Sequence, residues 1–501
     1  MIQHRAWLPA LGLMLAVGHA AGAQTPPTPD QARALEAQIT TWLKSATGSA
    51  VPLPARPVQF TAEGDHYLVR VPLGVLGKVE PADAAFTAKA KQLDGTRWAL
   101  DDQQFPAALT IHSTEVTPDA PDAKNPSPDG THKEAVTYRI KVGKQNVNGI
   151  IDTSLATPTT SGGTLAAFDM EKEGGAAASI SHIGMTTTQT STRPADAQHA
   201  DLLSDVTAAD YSTKSEMADG TAVSLTAQRL HVVAALSALG HDQVIPLIRM
   251  ASELGRLTKA GGDSSDGPTP AEKAKLRAML VQAHTMLTGA KIDESVEGVK
   301  FDIAGNSGTL AKADISFGGD APGDTLTASM GLSLEGLTIN SLPPAFAAYV
   351  PTRFSVHPTV SNISVAALTQ MGMAATAPLE AGQVTPAPDF ASLFGNGGIN
   401  FGFDSLALDV AGAQIAGTGK FTSKSAKSVT GQAELTARGL DALVAKAQSD
   451  PLLQQAVPVI IFLKGIARTT ADQAVWQITV DNAKVLVNGV DLSAMMGAMG
   501  K

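Results

Sequence analysis

The sequence predicts an α+β protein dominated by strands, built from long antiparallel sheet with a block of helices inserted between two β-rich stretches. Three observations lead there. At many points along the 501 residues apolar side chains alternate with polar ones, which is the period of a strand with one wet and one buried face. The stretch from 226 to 289 loses that alternation and is rich in Ala, Leu and Met. The chain has no cysteine, so no disulfide can staple it and burial must hold it together.

At the amino end, Arg5 precedes an apolar run from Ala6 to Val17, and Ala21-Gly22-Ala23 follows. A positive end, an apolar core and small side chains at −3 and −1 make a secretory signal. A membrane anchor needs about 20 apolar residues; this run is shorter and is broken by Pro9. Residues 1–23 therefore read as a signal peptide cleaved after Ala23, with export to the periplasm of a bacterial cell envelope. Cleavage would take away one Arg and no acid, making the net charge of −10 more negative. An acidic chain without a basic arm repels phosphate backbones, so nucleic acid is excluded as a partner.

Residues 24–59 begin with a Pro-rich tether (QTPPTP). A helix follows over Asp30–Lys44, with Asp30 as N-cap and apolar residues at Leu35, Ile39, Trp42 and Leu43. The first β-rich unit covers 60–225. Tyr67, Val69, Val71 and Leu73 alternate there, with Pro72 confining the strand to a sheet edge. Val136, Tyr138, Ile140 and Val142 alternate cleanly. The helical insertion spans 226–292, with helices over 226–240, 243–257 and 269–289. The third opens on the capping box Thr269-Pro270-Ala271-Glu272.

The second β-rich unit covers 293–501. Leu326, Ala328, Met330, Leu332 and Leu334 alternate, and between Phe403 and Leu406 the apolar phase slips by one residue. That slip predicts a β-bulge at Asp404 and Ser405. Helices are expected near 440–467, then strands over Val475–Val480 and Val485–Val487. Gly163-Thr-Leu-Ala-Ala-Phe-Asp169 and Gly308-Thr-Leu-Ala-Lys-Ala-Asp314 share the pattern G-T-L-A-x-x-D. Duplication into two related β units and chance both remain open readings of that likeness.

Chemistry-bearing motifs are missing. The eleven histidines include no H-E-x-x-H and no pair at i, i+4; His182, His231, His241 and His284 each stand alone. No G-x-S-x-G elbow occurs, and Gly419-Lys420 lacks the surroundings of a phosphate loop. Gly395-Asn-Gly-Gly398 precedes a strand and reads as a turn. The loop from Asp119 to Gly130 carries alternating oxygen donors but no terminal glutamate for calcium. Asp263-Ser-Ser-Asp266-Gly267 is a weaker version of the same pattern. Nothing nominates a carboxylate pair for glycoside cleavage. No catalytic, cofactor-binding or metal-ligating residue is nominated, and no cofactor is expected.

Three stretches carry a family resemblance. They are Gly95-Thr-Arg-Trp98-Ala-Leu with Phe105-Pro106; Leu342-Pro-Pro-Ala-Phe346 through Arg353 to Asn362–Leu368; and Gly431–Leu443 with Trp476 and the closing Val485–Leu492. Together these resemble the DUF2125 family of proteobacterial envelope proteins over about residues 60–500. The closing V-N-G hairpin is similar, more distantly, to the DUF945 (YdgA-like) and AsmA-like proteins. The resemblance implies long, curved antiparallel sheets and, through the AsmA-like relatives, lipid traffic and envelope integrity. This chain departs from AsmA-like proteins in having no retained membrane anchor, and no catalytic residues come with the family.

Three function classes stay open. The first is a non-catalytic exported envelope protein that binds a lipid or other apolar ligand along a sheet, with the helices of 226–289 covering or opening the groove. The second is an assembly factor binding other envelope proteins, for example through an edge strand. The third is a periplasmic hydrolase whose residues the sequence does not reveal.

Overall fold

Strand outweighs helix among the described residues, 69% against 15%. The computed structural model describes residues 26–47, 55–76, 78–118, 131–152, 157–174, 179–192, 199–216, 221–240, 288–321, 323–347, 349–375, 390–394, 397–425, 428–449, 454, 457–470, 473–482 and 484–492. All strand pairings described are antiparallel. The chain falls into two units, residues 1–288 with 376–380 and residues 289–375 with 381–501. The signal segment, the acidic loop 119–130, the loop 261–268, His241 and His284, and the helix expected at 243–257 lie outside the described residues, as does the helix expected at 269–289 up to residue 287; residues 289–292, expected in the helical insertion, already belong to a strand.

The first unit opens with helix α1 (Pro29–Thr47). Its cap is Thr28, not Asp30. The Gln31 N–H donates to Thr28 Oγ1 at 3.3 Å and the Thr28 N–H donates to Gln31 Oε1 at 3.2 Å. This reciprocal box, with Pro29 at the first helical position, satisfies donors that Asp30, already inside the helix, cannot reach. Twelve strands follow: β1 (Gln59–Glu63), β2 (His66–Pro72), β3 (Lys78–Glu80), β4 (Ala85–Gln92), β5 (Arg97–Gln104), β6 (Ala108–Pro118), β7 (Thr131–Val142), β8 (Gln145–Asp152), β9 (Thr157–Glu173), β10 (Ser179–Thr192), β11 (His199–Glu216) and β12 (Ala222–Gly240).

Strand β9 is the branch point of this unit. One edge pairs with β10 along most of its length, and β10 continues to β11 and β12. The other edge is shared, residues 157–165 pairing with β8 and residues 168–173 with β7. Two arms leave that edge, β8–β5–β4–β2–β1 and β7–β6–β3. Their apolar faces meet in one core: Val69, Phe86, Ala88, Trp98 and Leu100 from the first arm, Ile111 and Val136 from the second, Ile39 and Leu43 from α1.

Two expectations fail here. Strand β2 is not an edge strand, for it pairs with β1 and β4. Pro72 is tolerated because the β1 register stops at Gln59 opposite Arg70, short of the missing N–H. Residues 226–240 are not a helix but the body of β12, in register with β11 from Ala222 to Gly240. Leu230, Val232 and Leu236 lie on one face and Val233 and Ala235 on the other. Apolar residues on both faces erase the period-two signal, and the pairing with β11 overrides alanine's helical preference.

The second unit is a meander: β13 (Gly289–Ile303), β14 (Asn306–Asp320), β15 (Thr325–Glu335), β16 (Thr338–Ile339), β17 (Arg353–Ser364), β18 (Ile399–Val410), β19 (Ala413–Ser425), β20 (Ser428–Arg438), β21 (Arg468–Thr470), β22 (Gln473–Asp481), β23 (Lys484–Val487) and β24 (Val490–Asp491). The order is β13–β14–β15–β17–β18–β19–β20–β22–β23–β24, with β16 on the edge of β14 and β21 on that of β22. Its helices are α2 (Pro344–Ala347), α3 (Val365–Ala375), α4 (Leu440–Ser449) and α5 (Val457–Ile466). The expected bulge is present: Phe403 pairs with Gly419 and Leu406 with Gly417, so Asp404 and Ser405 stand against one residue. Asn488 and Gly489, at φ +50 and +87, make the closing hairpin turn between β23 and β24.

Both G-T-L-A-x-x-D segments lie inside long strands rather than opening them. In each, the edge partner changes across the motif, from β8 to β7 along 165–168 and from β16 to β15 along 309–312. The connectivity differs, since β9 divides the edge facing preceding strands and β14 the edge facing following ones. The motif therefore marks a shared local task.

Candidate functional site

Directly opposed residues of antiparallel strands project from the same face, so the register of the second unit shows which side chains share a surface. One row across the meander reads Ile315, Leu332, Val356, Leu406, Gly417, Leu435 and Trp476. Two residues away, a parallel row holds Ala313, Leu334, Phe354, Leu408, Ile415, Ala437 and Ala474. On the other side run Ile292, Phe317 and Met330, then Phe403, Gly419, Ala433 and Ile478. Beyond them come Ala328, Val360, Phe401, Phe421, Gly431 and Val480. At the β13 end of these rows Glu294 stands opposite Ile315, the one charged side chain among these positions.

The reverse face has the opposite character. Asp293, Ser316, Thr418, Glu434 and Gln477 form one of its rows, and Arg353, Asp409, Gln414, Arg438 and Gln473 another. On this face Asp314 accepts a hydrogen bond from Ser333 Oγ at 2.9 Å and pairs with Lys312 at 3.0 Å. Burial pushes the Asp314 carboxyl up, but the hydrogen bonds from Lys312, Ser333 and Ser295 outweigh it and hold the group below its ordinary range. Apart from Glu294, the charged side chains of these rows belong to one side of the sheet and the apolar surface to the other.

Eight strands at about 4.8 Å spacing make that apolar face about 35 Å wide. It is finely fitted. Glycines at 417, 419 and 431 leave room for larger neighbours to lie flat: a Cβ on Gly419 would come within 2.6 Å of Phe403 Cε1, and one on Gly431 within 2.5 Å of Phe421 Cδ1. The rings of Phe401 and Phe421 stack at 5.4 Å. Cover is uneven. At the carboxy-terminal end α4 and α5 roof the sheet, with Leu440 and Ile466 packed on Ala437, Trp476 and Val487. Trp476 Nε1 donates to the Leu463 carbonyl at 2.8 Å, and Asn488 Nδ2 donates to the carbonyls of Ile466 and Val475 at 2.8 and 2.9 Å. At the opposite end Phe317 is 50% exposed and Met330 46%, with no second layer over them among the described residues.

Elsewhere the chemistry is sparse. His231 Nε2 lies 3.0 Å from Asp205 Oδ1 on β11 and β12, so this histidine has a carboxylate partner the sequence did not reveal. His182 sits in β10, in register with Asp169 and Ser212. Gly398 donates its N–H to the Phe394 carbonyl at 2.8 Å and Gly419-Lys420 lies within β19, neither holding a phosphate-loop geometry. No group of three or more His, Asp or Glu that could hold a metal occurs among the described residues. The sequence signalled the apolar face only as separate alternations in β15 and β18; the register that joins them into one surface is a tertiary property. No protein-family model, curated protein or solved structure matches this chain.

Proposed function

We propose that this chain is a non-catalytic, exported protein of the bacterial cell envelope that holds a lipid, or another ligand with a long apolar chain, against the apolar face of its second unit. The observation that carries the reading is the four adjacent rows of apolar side chains across β13–β22, left open at Ile292, Phe317 and Met330. An acyl chain offers no hydrogen-bonding group and needs none, and those rows contain no Ser, Thr, Asn or Gln. A chain that fills one leaflet, about half of the ~30 Å hydrocarbon core, fits within the width of the face. Export rests on the amino-terminal signal pattern, and the likeness to DUF2125 and AsmA-like proteins points to the same compartment and ligand class.

The test is native mass spectrometry with lipid extraction on the full chain purified gently from its own periplasm. A stoichiometric phospholipid or fatty-acyl adduct is expected, and Phe317→Glu with Met330→Glu should abolish it while the fold persists, since both side chains already face solvent. A clean unliganded mass for the wild type, after mild handling, sinks the proposal and moves the weight to protein partners.

A further inference from the structure

Glu294 places a carboxylate at the open end of the apolar face. It stands on β13 directly opposite Ile315, and Ile292 and Val296, two residues away along the strand, project from the same side. Phe317, opposite Ile292, lies on the diagonal. Ile292, Ile315 and Phe317 are 41%, 36% and 50% exposed, and Glu294 is exposed with them. Among the described residues its carboxylate has neither an ion pair nor a hydrogen bond. Lys291 is close in sequence but projects from the reverse face, where it pairs with Asp293 at 2.8 Å. The nearest cation on the Glu294 side of β13 is Lys300, about 20 Å along the strand at ~3.3 Å per residue.

In water such a carboxylate is well solvated, but a ligand lying over its apolar neighbours takes that water away. A charge covered without a partner is costly. An acyl chain offers Glu294 nothing, and an acidic head group would set like charge against like. An ammonium removes both difficulties through a charge-assisted hydrogen bond. The four rows hold no Lys or Arg that could pair with an acidic head group instead.

Exposure gives the ligand a direction. The row that starts at Glu294 passes through Ile315, Leu332, Val356 and Leu406 and ends at Trp476, 9% exposed beneath α4 and α5. The polar group belongs at the wet β13 end and the chain runs toward the roofed one. About 15 Å of chain, enough for one leaflet, spans three strand spacings of ~4.8 Å, the distance from Ile315 to Leu406.

We propose that the ligand of the second unit is a lipid whose head group carries an ammonium, held by Glu294, with its acyl chain laid across β14, β15, β17 and β18. This inference rests on the ligand reading above and names the class of head group.

The experiment is a competition on the delipidated full chain, read by native mass spectrometry. Lysophosphatidylethanolamine and lysophosphatidylglycerol with the same acyl chain are offered in equal amounts, below the concentrations at which they form micelles. The wild type should carry the ethanolamine lipid in preference, by about fivefold or more. Glu294→Gln keeps the shape and removes the charge, so it should take the two lipids about equally, and Glu294→Lys should prefer the glycerol lipid. Both substitutions alter an exposed side chain, and an unchanged thermal melt shows that the fold persists. The assignment is overturned if the wild type has no preference or prefers the glycerol lipid, or if Glu294→Gln keeps the wild-type preference. Binding of both lipids without preference sinks the head-group assignment and leaves the ligand reading standing; binding of neither sinks both.

Discussion

Trp98 and Trp476 are buried to nearly the same extent, at 6% and 9% exposed, but their indole N–H groups fare differently. Trp476 Nε1 donates to the Leu463 carbonyl, whereas Trp98 Nε1 has no acceptor among the described residues. A buried donor without a partner carries its desolvation cost uncompensated. Trp98→Phe should therefore be neutral or slightly stabilising, despite a small loss of ring area against Tyr67, while Trp476→Phe should cost about 1 kcal/mol. Urea titrations of the two variants check this, and the reverse ranking would refute the hydrogen-bond argument. This difference was not legible from sequence, because a single indole reads as core wherever it falls. Asn488 makes the same point. The Asn-Gly pair announces its hairpin, but the side-chain amide also holds the end of α5 through Ile466, 22 positions away, and no local pattern encodes that.

Among the elements, those set by local spacing were readable. The alternation at 67–73 and 136–142, the phase slip at 404–405 and the helix over 440–449 all appear where the pattern puts them. Helix α1 was placed correctly but its cap misassigned, although Thr28-Pro29-Asp30-Gln31 spells a capping box with Pro at the first position. Strand β12 was missed because it is apolar on both faces. The glycines of β19 and β20 were legible only as weak strand formers; their use is to seat Phe403 and Phe421. Gly419→Val tests that use. Its Cβ would press on Phe403 Cε1 and Cζ at 2.6 and 2.8 Å and on the Ala433 Cβ at 3.1 Å, and the ring would have to lift. Such overpacking costs about 1–3 kcal/mol, and the near-ultraviolet aromatic circular dichroism should change with it. A melt and spectrum indistinguishable from wild type would show that the ring does not rest on the glycine.

Across the whole molecule, the two units differ in how they are held. The first gathers apolar side chains from α1 and from both arms into a single core that includes Phe60, Tyr67, Phe86 and Trp98, with Tyr67 within 6.3 Å of Phe60 and 6.1 Å of Trp98, centroid to centroid. The bidentate pair of Arg56 with Glu36, at 2.6 and 2.8 Å, ties α1 to the segment entering β1. Among its described residues the second unit has a small buried cluster beneath α4 and α5, around Ala437, Ala474, Trp476 and Val487. Its other strands keep an apolar face partly open, and their strongest local bonds are the ladder itself. Which half has the thinner core was not legible in the sequence, since that depends on whether two sheet arms fold onto each other. Opening free energy follows buried apolar contact, so amide exchange should be uneven. The amides of β2, β4 and β7 should exchange last, and those of β13, β14 and β15 at least about tenfold faster. If the second unit carries a lipid on its open face, ligand binding adds to its stability by mass action. Delipidation should then speed exchange in β13–β15 while leaving β2, β4 and β7 unchanged. Hydrogen exchange with mass spectrometry, run on the protein as isolated and after delipidation, reads both comparisons; a uniform pattern, or a delipidation effect confined to the first unit, would contradict the division of labour drawn from the two cores.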